Sequence, residues 1–202
     1  MKEAGLLIVV SAPSGAGKTS LCEEVIRRVG NLVHSISYTT RAPRPHEEDG
    51  RDYHFITPES FQTMVDQGEF AEWARVHGHL YGTSRRQLEE HFAEGRSVIL
   101  DLDTQGAAQL RQAYPGGVFV FIMPPTLGQL EARLRTRQTD APEEITRRMR
   151  QARKEIESFH EYDYVVVNND FEKAVTALCA IIAAERCRSF RLDPGARREL
   201  GL

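Results

Sequence analysis

The segment Ala12-Pro13-Ser14-Gly15-Ala16-Gly17-Lys18-Thr19 carries the most chemistry per residue in this chain. It satisfies the phosphate-binding pattern G-x-x-x-x-G-K-[ST] at every fixed position except the first, where alanine stands for glycine. Glycines at 15 and 17 let the backbone wrap an anion with successive N–H groups pointing inward. A helix starting near Lys18 would aim its positive end at the same anion. In such a loop Pro13, Ser14, Gly15, Ala16, Gly17 and Ser20 surround the phosphates of a nucleoside triphosphate. Lys18 reaches the β- and γ-phosphates and the Thr19 hydroxyl holds Mg²⁺. Alanine at 12 leaves that chemistry intact provided its φ is negative.

Two carboxylates follow the apolar run Val98–Leu100. Asp101 stands where a buried parallel strand opens onto a ligand crevice, so it is expected in the Mg²⁺ shell, directly or through water. Asp103 has two readings, a ligand contact or the N-cap of the next helix. Arginines form the other constellations. Arg41 and Arg44 lie three apart, with Pro43 and Pro45 stiffening the turn, so both guanidiniums can be held ready for one anion; the plain alternative is a solvated basic turn. Arg133 and Arg137 are four apart on one helix face, and Arg148 lies on a helix restarting after Pro142. A helix, break and helix of this kind reads as a mobile lid that carries arginines onto a triphosphate. Arg135, Arg147, Arg150 and Arg153 read as a solvated face. Tyr53 and Tyr81 supply phenol hydroxyls. Glu72 is a carboxylate between Phe70 and Trp73, where strand alternation alone would turn it to solvent.

Positioning these groups requires a scaffold, and its pattern is visible. Continuous apolar runs at Leu6–Val10, Ser97–Asp101, Val118–Ile122 and Tyr164–Val167 predict strands covered on both faces. Amphipathic stretches lie between or after them: Lys18–Val29, Ser84–Glu94, Gln105–Tyr114, Thr126–Arg137, Pro142–Tyr162 and Phe171–Phe190. This alternation predicts an α/β fold with a parallel sheet between helical layers. Residues 35–83 break the rhythm with prolines, glycines and aromatics, and predict a small inserted α+β subdomain. The expected division is thus a core of residues 1–34, 84–125 and 160–202, the insertion at 35–83, and a helical lid region at 126–159.

The 202 residues suit a single domain, and 41% hydrophobic with 27% charged composition excludes wholesale disorder. A net charge of −3 argues against a nucleic-acid-binding protein. The arginine-rich stretch Arg186, Arg188, Arg191, Arg197 and Arg198 is the one candidate for such a role, and reads better as an exposed end. Only four of the 26 basic residues are lysines, which leaves 22 arginines, the side chain that grips phosphate two oxygens at a time. Cys22, Cys179 and Cys187 form neither a disulfide framework nor a zinc pattern, so a reduced cytoplasmic setting is expected. No apolar run approaches the roughly 20 residues of a membrane helix.

Taken together the motifs resemble those of the guanylate kinases, most closely the bacterial ones, over nearly the whole chain. The resemblance runs through Ser11–Thr19, Ser37–Arg44, Gly50–Phe55, Phe70–Ala74, Tyr81–Thr83 and Ile99–Gly106. It continues through Pro124-Pro125, Arg133–Arg137 and Val167–Asp170. It implies a three-layer P-loop fold and an ATP-dependent kinase that makes GDP from GMP, and phosphorylates dGMP as well, in purine nucleotide metabolism. By resemblance Arg41, Arg44, Tyr53 and Tyr81 hold the GMP phosphate, while Ser37, Glu72, Thr83 and Asp103 surround the guanine. Lys18, Arg41, Arg44, Arg133, Arg137 and Arg148 are the implied catalytic set. Arg133, Arg137 and Asn168 join the phosphate loop in binding ATP, Asn168 beside the adenine. The implied partners are ATP, GMP and Mg²⁺, with no nucleic acid or membrane; a homo-oligomer is left open. Gln138 departs from the glycine many members carry there, and implies a stiffer lid hinge.

The guanine assignment also has a chemical rationale. Guanine presents N1–H and a 2-amino group side by side, which one carboxylate can accept, whereas adenine would leave that charge unpaired. GMP's phosphate, with a second pKa of about 6, needs no strong base near pH 7. His34, His54, His77 and His79 therefore read as ordinary structure. Two other kinds of protein share this scaffold. Ribosyl bisphosphate kinases would lack the guanine readers, and inactive scaffold-protein modules would carry a degraded phosphate loop.

Overall fold

The computed structural model describes residues 5–76, 78–136 and 142–191, together with 195, 198 and 201. His77, Arg137, Gln138 and Arg197, all singled out in the sequence, lie outside the described residues. A five-stranded sheet in the order β2-β7-β1-β8-β9 forms the middle of the molecule. Its strands are β1 (Leu7–Ser11), β2 (Leu32–His34), β7 (Ser97–Leu102), β8 (Val118–Met123) and β9 (Tyr164–Val167), and all neighbours pair in parallel.

The unbroken apolar run at β1 has a direct cause. Leu6, Ile8 and Val10 pack into one core with Leu21 and Val25 of α1 (Lys18–Arg28) and Val175 and Leu178 of α7 (Phe171–Arg186). Leu7 and Val9 pack into a second core with Leu88 of α3 (Arg85–Ala93) and Leu110 of α4 (Thr104–Ala113). Alternate residues of one strand thus bury into two helical layers, which makes the fold three-layered α/β/α.

A four-stranded mixed sheet, order β4-β3-β6-β5, holds the residues that broke the sequence rhythm. It comprises β3 (Tyr38–Thr39), β4 (His54–Phe55), β5 (Phe70–Val76) and β6 (His79–Ser84), with α2 (Pro58–Asp66) packed against it. Thr57 caps α2 through its hydroxyl, which accepts from Ser60 N at 3.2 Å, and Pro58 occupies the first turn. Phe61 stacks on Phe70 with ring centroids 4.5 Å apart and fixes α2 to β5. This sheet is fastened to the core by Ala71, which packs with Leu88 and Ala107, and by hydrogen bonds to β5. Gln109 of α4 accepts from Trp73 N at 3.2 Å and donates to Trp73 O at 2.8 Å, completing the backbone of β5 as another strand would.

The remaining helices are α5 (Leu127–Thr136) and α6 (Pro142–Glu157). Two helices are shorter than their amphipathic patterns. The 142–162 stretch leaves α geometry after Glu157 for a 3₁₀ turn at Ser158–Glu161, and the last helix ends at Arg186 before a 3₁₀ turn at Ser189–Arg191. Strand β2 has no sequence signal of its own, because three residues with one buried side chain carry no readable period. The arginine-rich end is not merely exposed. Arg186 donates to Gly30 O at 3.0 Å and Ser97 Oγ at 3.2 Å, and Arg191 donates to Gly116 O at 2.7 Å, so these forks satisfy loop carbonyls.

Candidate active site

The phosphate loop joins the buried end of β1 to α1. Gly15 and Gly17 have φ of 90° and 86°, values open to glycine at little cost. A Cβ on Gly15 would stand 2.9 Å from Leu134 Cδ2 of α5, so that position is closed by packing as well as by φ. Ala12 is buried, and Asn31 is the one non-glycine with positive φ among the described residues, which explains why alanine serves at 12. No side chain caps the N-terminus of α1 at Gly17. Its first N–H groups are therefore left to an anion.

Lys18 and Thr19 cross to the adjacent strand. Lys18 Nζ donates to Leu102 O at 2.7 Å, and Thr19 Oγ1 donates to Asp101 Oδ2 at 3.0 Å. The parallel pairing of β1 with β7 brings these groups together, because Ser11 lies level with Leu102. His34, at the end of β2, sets its Nε2 3.2 Å from Asp101 Oδ1, so this histidine belongs to the site rather than to ordinary structure. Burial alone would raise the Asp101 carboxyl. The His34 hydrogen bond, the Lys18 charge and the Thr19 hydroxyl outweigh it and hold the group at about 2. A hydroxyl beside so acidic a carboxylate is a pair of hard oxygen donors of the kind Mg²⁺ takes. No cluster of three or more His, Cys, Asp or Glu suited to a metal occurs among the described residues. Such a site suits an ion that draws its other ligands from phosphate and water.

A cleft of about 610 Å³ opens from Lys18 and Asp101 towards the mixed sheet, where Ser37, Arg44, Tyr53, Glu72 and Tyr81 line it. Arg44 and Glu47 of the arginine turn line its side, and Arg41 packs against Glu47 and Tyr81. Arg41 donates from Nε to Tyr81 Oη at 3.2 Å, and its two terminal nitrogens grip both oxygens of Glu47 at 2.9 and 2.8 Å. The Tyr53 and Phe55 rings stand 5.4 and 5.8 Å from its guanidinium carbon. These bonds raise the Arg41 pKa, and the same Arg41 hydrogen bonds hold the Glu47 carboxyl at about 2. Arg41 is thus a fixed group in a built corner rather than part of a solvated basic turn. Glu47, six residues along a proline-rich turn, carried no signal of period or motif.

Glu72 lies at the other end of the cleft and is only 4% exposed. Alternation with Trp73 inward predicts an outward carboxylate here, but the indole is the exposed side chain, and Glu72, Ala74 and Val76 alternate with Trp73 and Arg75 to line the cleft. A register shift between Phe70 and Glu72 precedes this run, so that Phe70, Ala71 and Glu72 are buried consecutively. Thr83 Oγ1 donates to Glu72 Oε1 at 2.6 Å. Burial pushes the Glu72 carboxyl up to about 7, helped by the Asp103 charge and opposed by the Thr83 hydrogen bonds. Asp103 has both of its anticipated aspects. Its Oδ1 accepts from Gly106 N at 2.8 Å and caps α4, and it also lines the cleft. Gly106 permits this meeting, because a Cβ there would stand 2.7 Å from Glu72 Oε2.

A second depression of about 660 Å³ lies across the phosphate loop, between Gly15, Ser20, Arg133, Asn168 and Phe171. Arg133 donates to Asn168 O at 3.2 Å, and Arg148 reaches Ser14 Oγ from α6. The buried Asn168 amide nitrogen donates to Ala16 O at 2.8 Å, and a Cβ on Gly17 would stand 3.0 Å from it. That side chain therefore clamps the loop from behind, in addition to lining the depression expected for adenine.

The guanylate kinase family model matches residues 5–185. The chain is 52% identical over 192 residues to a guanylate kinase of Geobacter metallireducens, spanning 95% of each chain. It is 47% identical over 187 residues to that of Thermotoga maritima, spanning 93% of this chain and 90% of the relative. The crystal structure of a guanylate kinase from Anaplasma phagocytophilum superposes with a TM-score of 0.82 at 34% identity, over 98% of this chain and 95% of that one.

Proposed function

The chain belongs to the guanylate kinase family, and from that premise we propose that it transfers the γ-phosphoryl group of ATP to GMP, and to dGMP, giving ADP and the nucleoside diphosphate. The observation that carries the reading is a cleft with Lys18 and Asp101 at one end and a buried carboxylate, Glu72, at the other. A donor phosphate and a base with paired N–H donors fit its two ends. The arginine corner between them fits the acceptor phosphate.

In this reading the guanine N1–H and 2-amino group donate to Glu72, with Thr83, Ser37 and Asp103 around the ring. Arg41, Arg44, Tyr53 and Tyr81 hold the GMP phosphate, one of whose oxygens attacks the γ-phosphorus. The bond from that phosphorus to the β-bridging oxygen breaks, and the electron pair leaves with ADP. Lys18 and the α1 N-terminus neutralise the β- and γ-phosphates as charge shifts. Arg133 and Arg148 approach from α5 and α6, which act as a lid that excludes water during transfer. Thr19 and Asp101 would hold Mg²⁺, directly or through water, and the ion would supply charge neutralisation and orientation of the phosphates. No general base is required, because the acceptor phosphate is already largely ionised near pH 7.

Among the described residues no helix is long and apolar enough to cross a membrane, and all three cysteines are free, in keeping with an enzyme of the cytoplasm. A coupled ADP-release assay across GMP, dGMP, AMP, CMP and UMP tests the proposal. Turnover confined to GMP and dGMP is expected, and comparable rates with AMP would overturn it.

A further inference from the structure

We propose that Glu47 is the positioning residue of the acceptor-phosphate clamp, fixing the Arg41 guanidinium so that one edge alone is presented to the phosphate of the nucleotide. The inference rests on the reading that Arg41 and Arg44 grip that phosphate, and it adds a residue that touches the arginines rather than the substrate.

Arginine carries five N–H bonds in a rigid plane. Arg41 donates from Nη1 to Ala42 O at 2.8 Å and to Glu47 Oε2 at 2.9 Å, from Nη2 to Glu47 Oε1 at 2.8 Å, and from Nε to Tyr81 Oη at 3.2 Å. The Nη1–Nη2 edge is therefore fully taken by the carboxylate. The opposite edge keeps one Nη2–H beside the Tyr81 hydroxyl, whose own proton is free to go to an acceptor. Arg44, Glu47 and Tyr81 line the cleft and Arg41 packs against Tyr81 and Glu47, so a phosphate seated on the Tyr81 hydroxyl comes within reach of that Nη2–H. The same carboxylate accepts from Arg44 N at 2.8 Å, while Glu47 N donates to Arg44 O at 3.0 Å, so both arginines are tied to one residue. The Tyr53 and Phe55 rings wall the guanidinium and leave little other room.

Two effects oppose each other when Glu47 loses its charge. Removing a negative group near a dianion favours GMP, whereas freeing a long side chain lowers the fraction of time its fork is aligned. The Arg41 and Glu47 side chains are only 14% and 16% exposed, and the fork is held by bonds at both edges. Loss of alignment therefore dominates here.

The test compares Glu47→Gln with wild type by titration calorimetry of GMP and of guanosine, alongside steady-state kinetics. GMP binding and the KM for GMP are expected to weaken about tenfold, comparable to other losses of a positioning contact. Guanosine, which carries no phosphate, and the KM for ATP should stay within about twofold. In an Arg41→Ala background the same substitution should add less than about twofold, because the group it positions is gone. Glu48→Gln, next in sequence and paired with Arg51 on the surface, serves as the control and should change nothing. Unchanged or tighter GMP binding in Glu47→Gln would overturn the proposal. Equal weakening of GMP and guanosine would also overturn it, by showing a merely structural role. A wild type that binds guanosine as tightly as GMP would instead overturn the clamp reading on which the proposal stands.

Discussion

The phosphate loop makes its anion site from backbone, whereas the acceptor corner makes its site from side chains. At the loop, two glycines with positive φ and the uncapped N-terminus of α1 supply the donors within a single stretch of sequence. At the corner, Arg41, Tyr81 and Glu47 come from the turn after β3 and from β6, and Glu72, proposed to read guanine, comes from β5, held by Gln109 of the core. A backbone site is insensitive to most side-chain changes and accepts any triphosphate. A side-chain site distinguishes one base from another, but each member depends on several supports. The difference also appears in stability. Asp101 at the donor end is held ionised by its partners, while Glu72 at the acceptor end is buried with its carboxyl lifted towards neutrality.

The largest effect should come from the donor end. Lys18→Ala should lower kcat by at least about a thousandfold, because the β,γ-phosphates lose the cation of the phosphate loop, while GMP affinity by calorimetry stays within about twofold. Loss of GMP binding in that variant would mean that the two ends are not independent.

Gly106→Ala should act at the acceptor end alone. The new methyl would meet Glu72 Oε2 at 2.7 Å, so the carboxylate must move, raising the KM for GMP about a hundredfold with ATP binding intact. Overpacking there should cost about 1–3 kcal/mol in thermal unfolding. Normal GMP kinetics would show that the close approach of α4 at Gly106 does not set the geometry of Glu72.

A smaller effect sharpens the electrostatic contrast. With the Glu72 carboxyl at about 7, the ionised fraction rises roughly tenfold between pH 6 and pH 8. Guanosine affinity should rise by about that factor and lose its pH dependence in Glu72→Gln; guanosine avoids the titration of the GMP phosphate itself. Stability should move the opposite way. The folded state keeps this proton up to about 7, whereas the unfolded chain releases it near its ordinary 4.5. Unfolding free energy therefore falls as pH rises between those values. Glu72→Gln should be more stable than wild type at pH 8 by about 3 kcal/mol, and equal to it near pH 4.

The legibility of the sequence follows the same contrast. The loop at 12–19, the two-sided burial of β1 and the site position of Asp101 were all readable, because each depends on neighbours in sequence or on a strong period. The buried orientation of Glu72 was not readable because alternation leaves open which face is inside, and Trp73, the large apolar side chain, turns out to face solvent. His34 was set aside because β2, three residues long, leaves no pattern to place it at the sheet's ligand edge. Glu47 and Gln109 act through long-range or turn geometry, and neither spacing nor residue type marks them. The arginine excess divides in the same way. Arg41 proved to be anchored in the cleft, while Arg186 and Arg191 proved to be caps of loop carbonyls that the sequence could not distinguish from solvated ends.

The proposed selection of guanine rests on one buried carboxylate, Glu72, on the cleft face of β5. Its most direct test is the ratio of kcat/KM for GMP to that for AMP, measured in wild type and in Glu72→Gln under the same conditions. The ratio should be at least about a thousand in wild type and should fall by about a hundredfold or more in the variant, with the KM for ATP unchanged. A ratio that survives the substitution would contradict the account and place base selection on another residue.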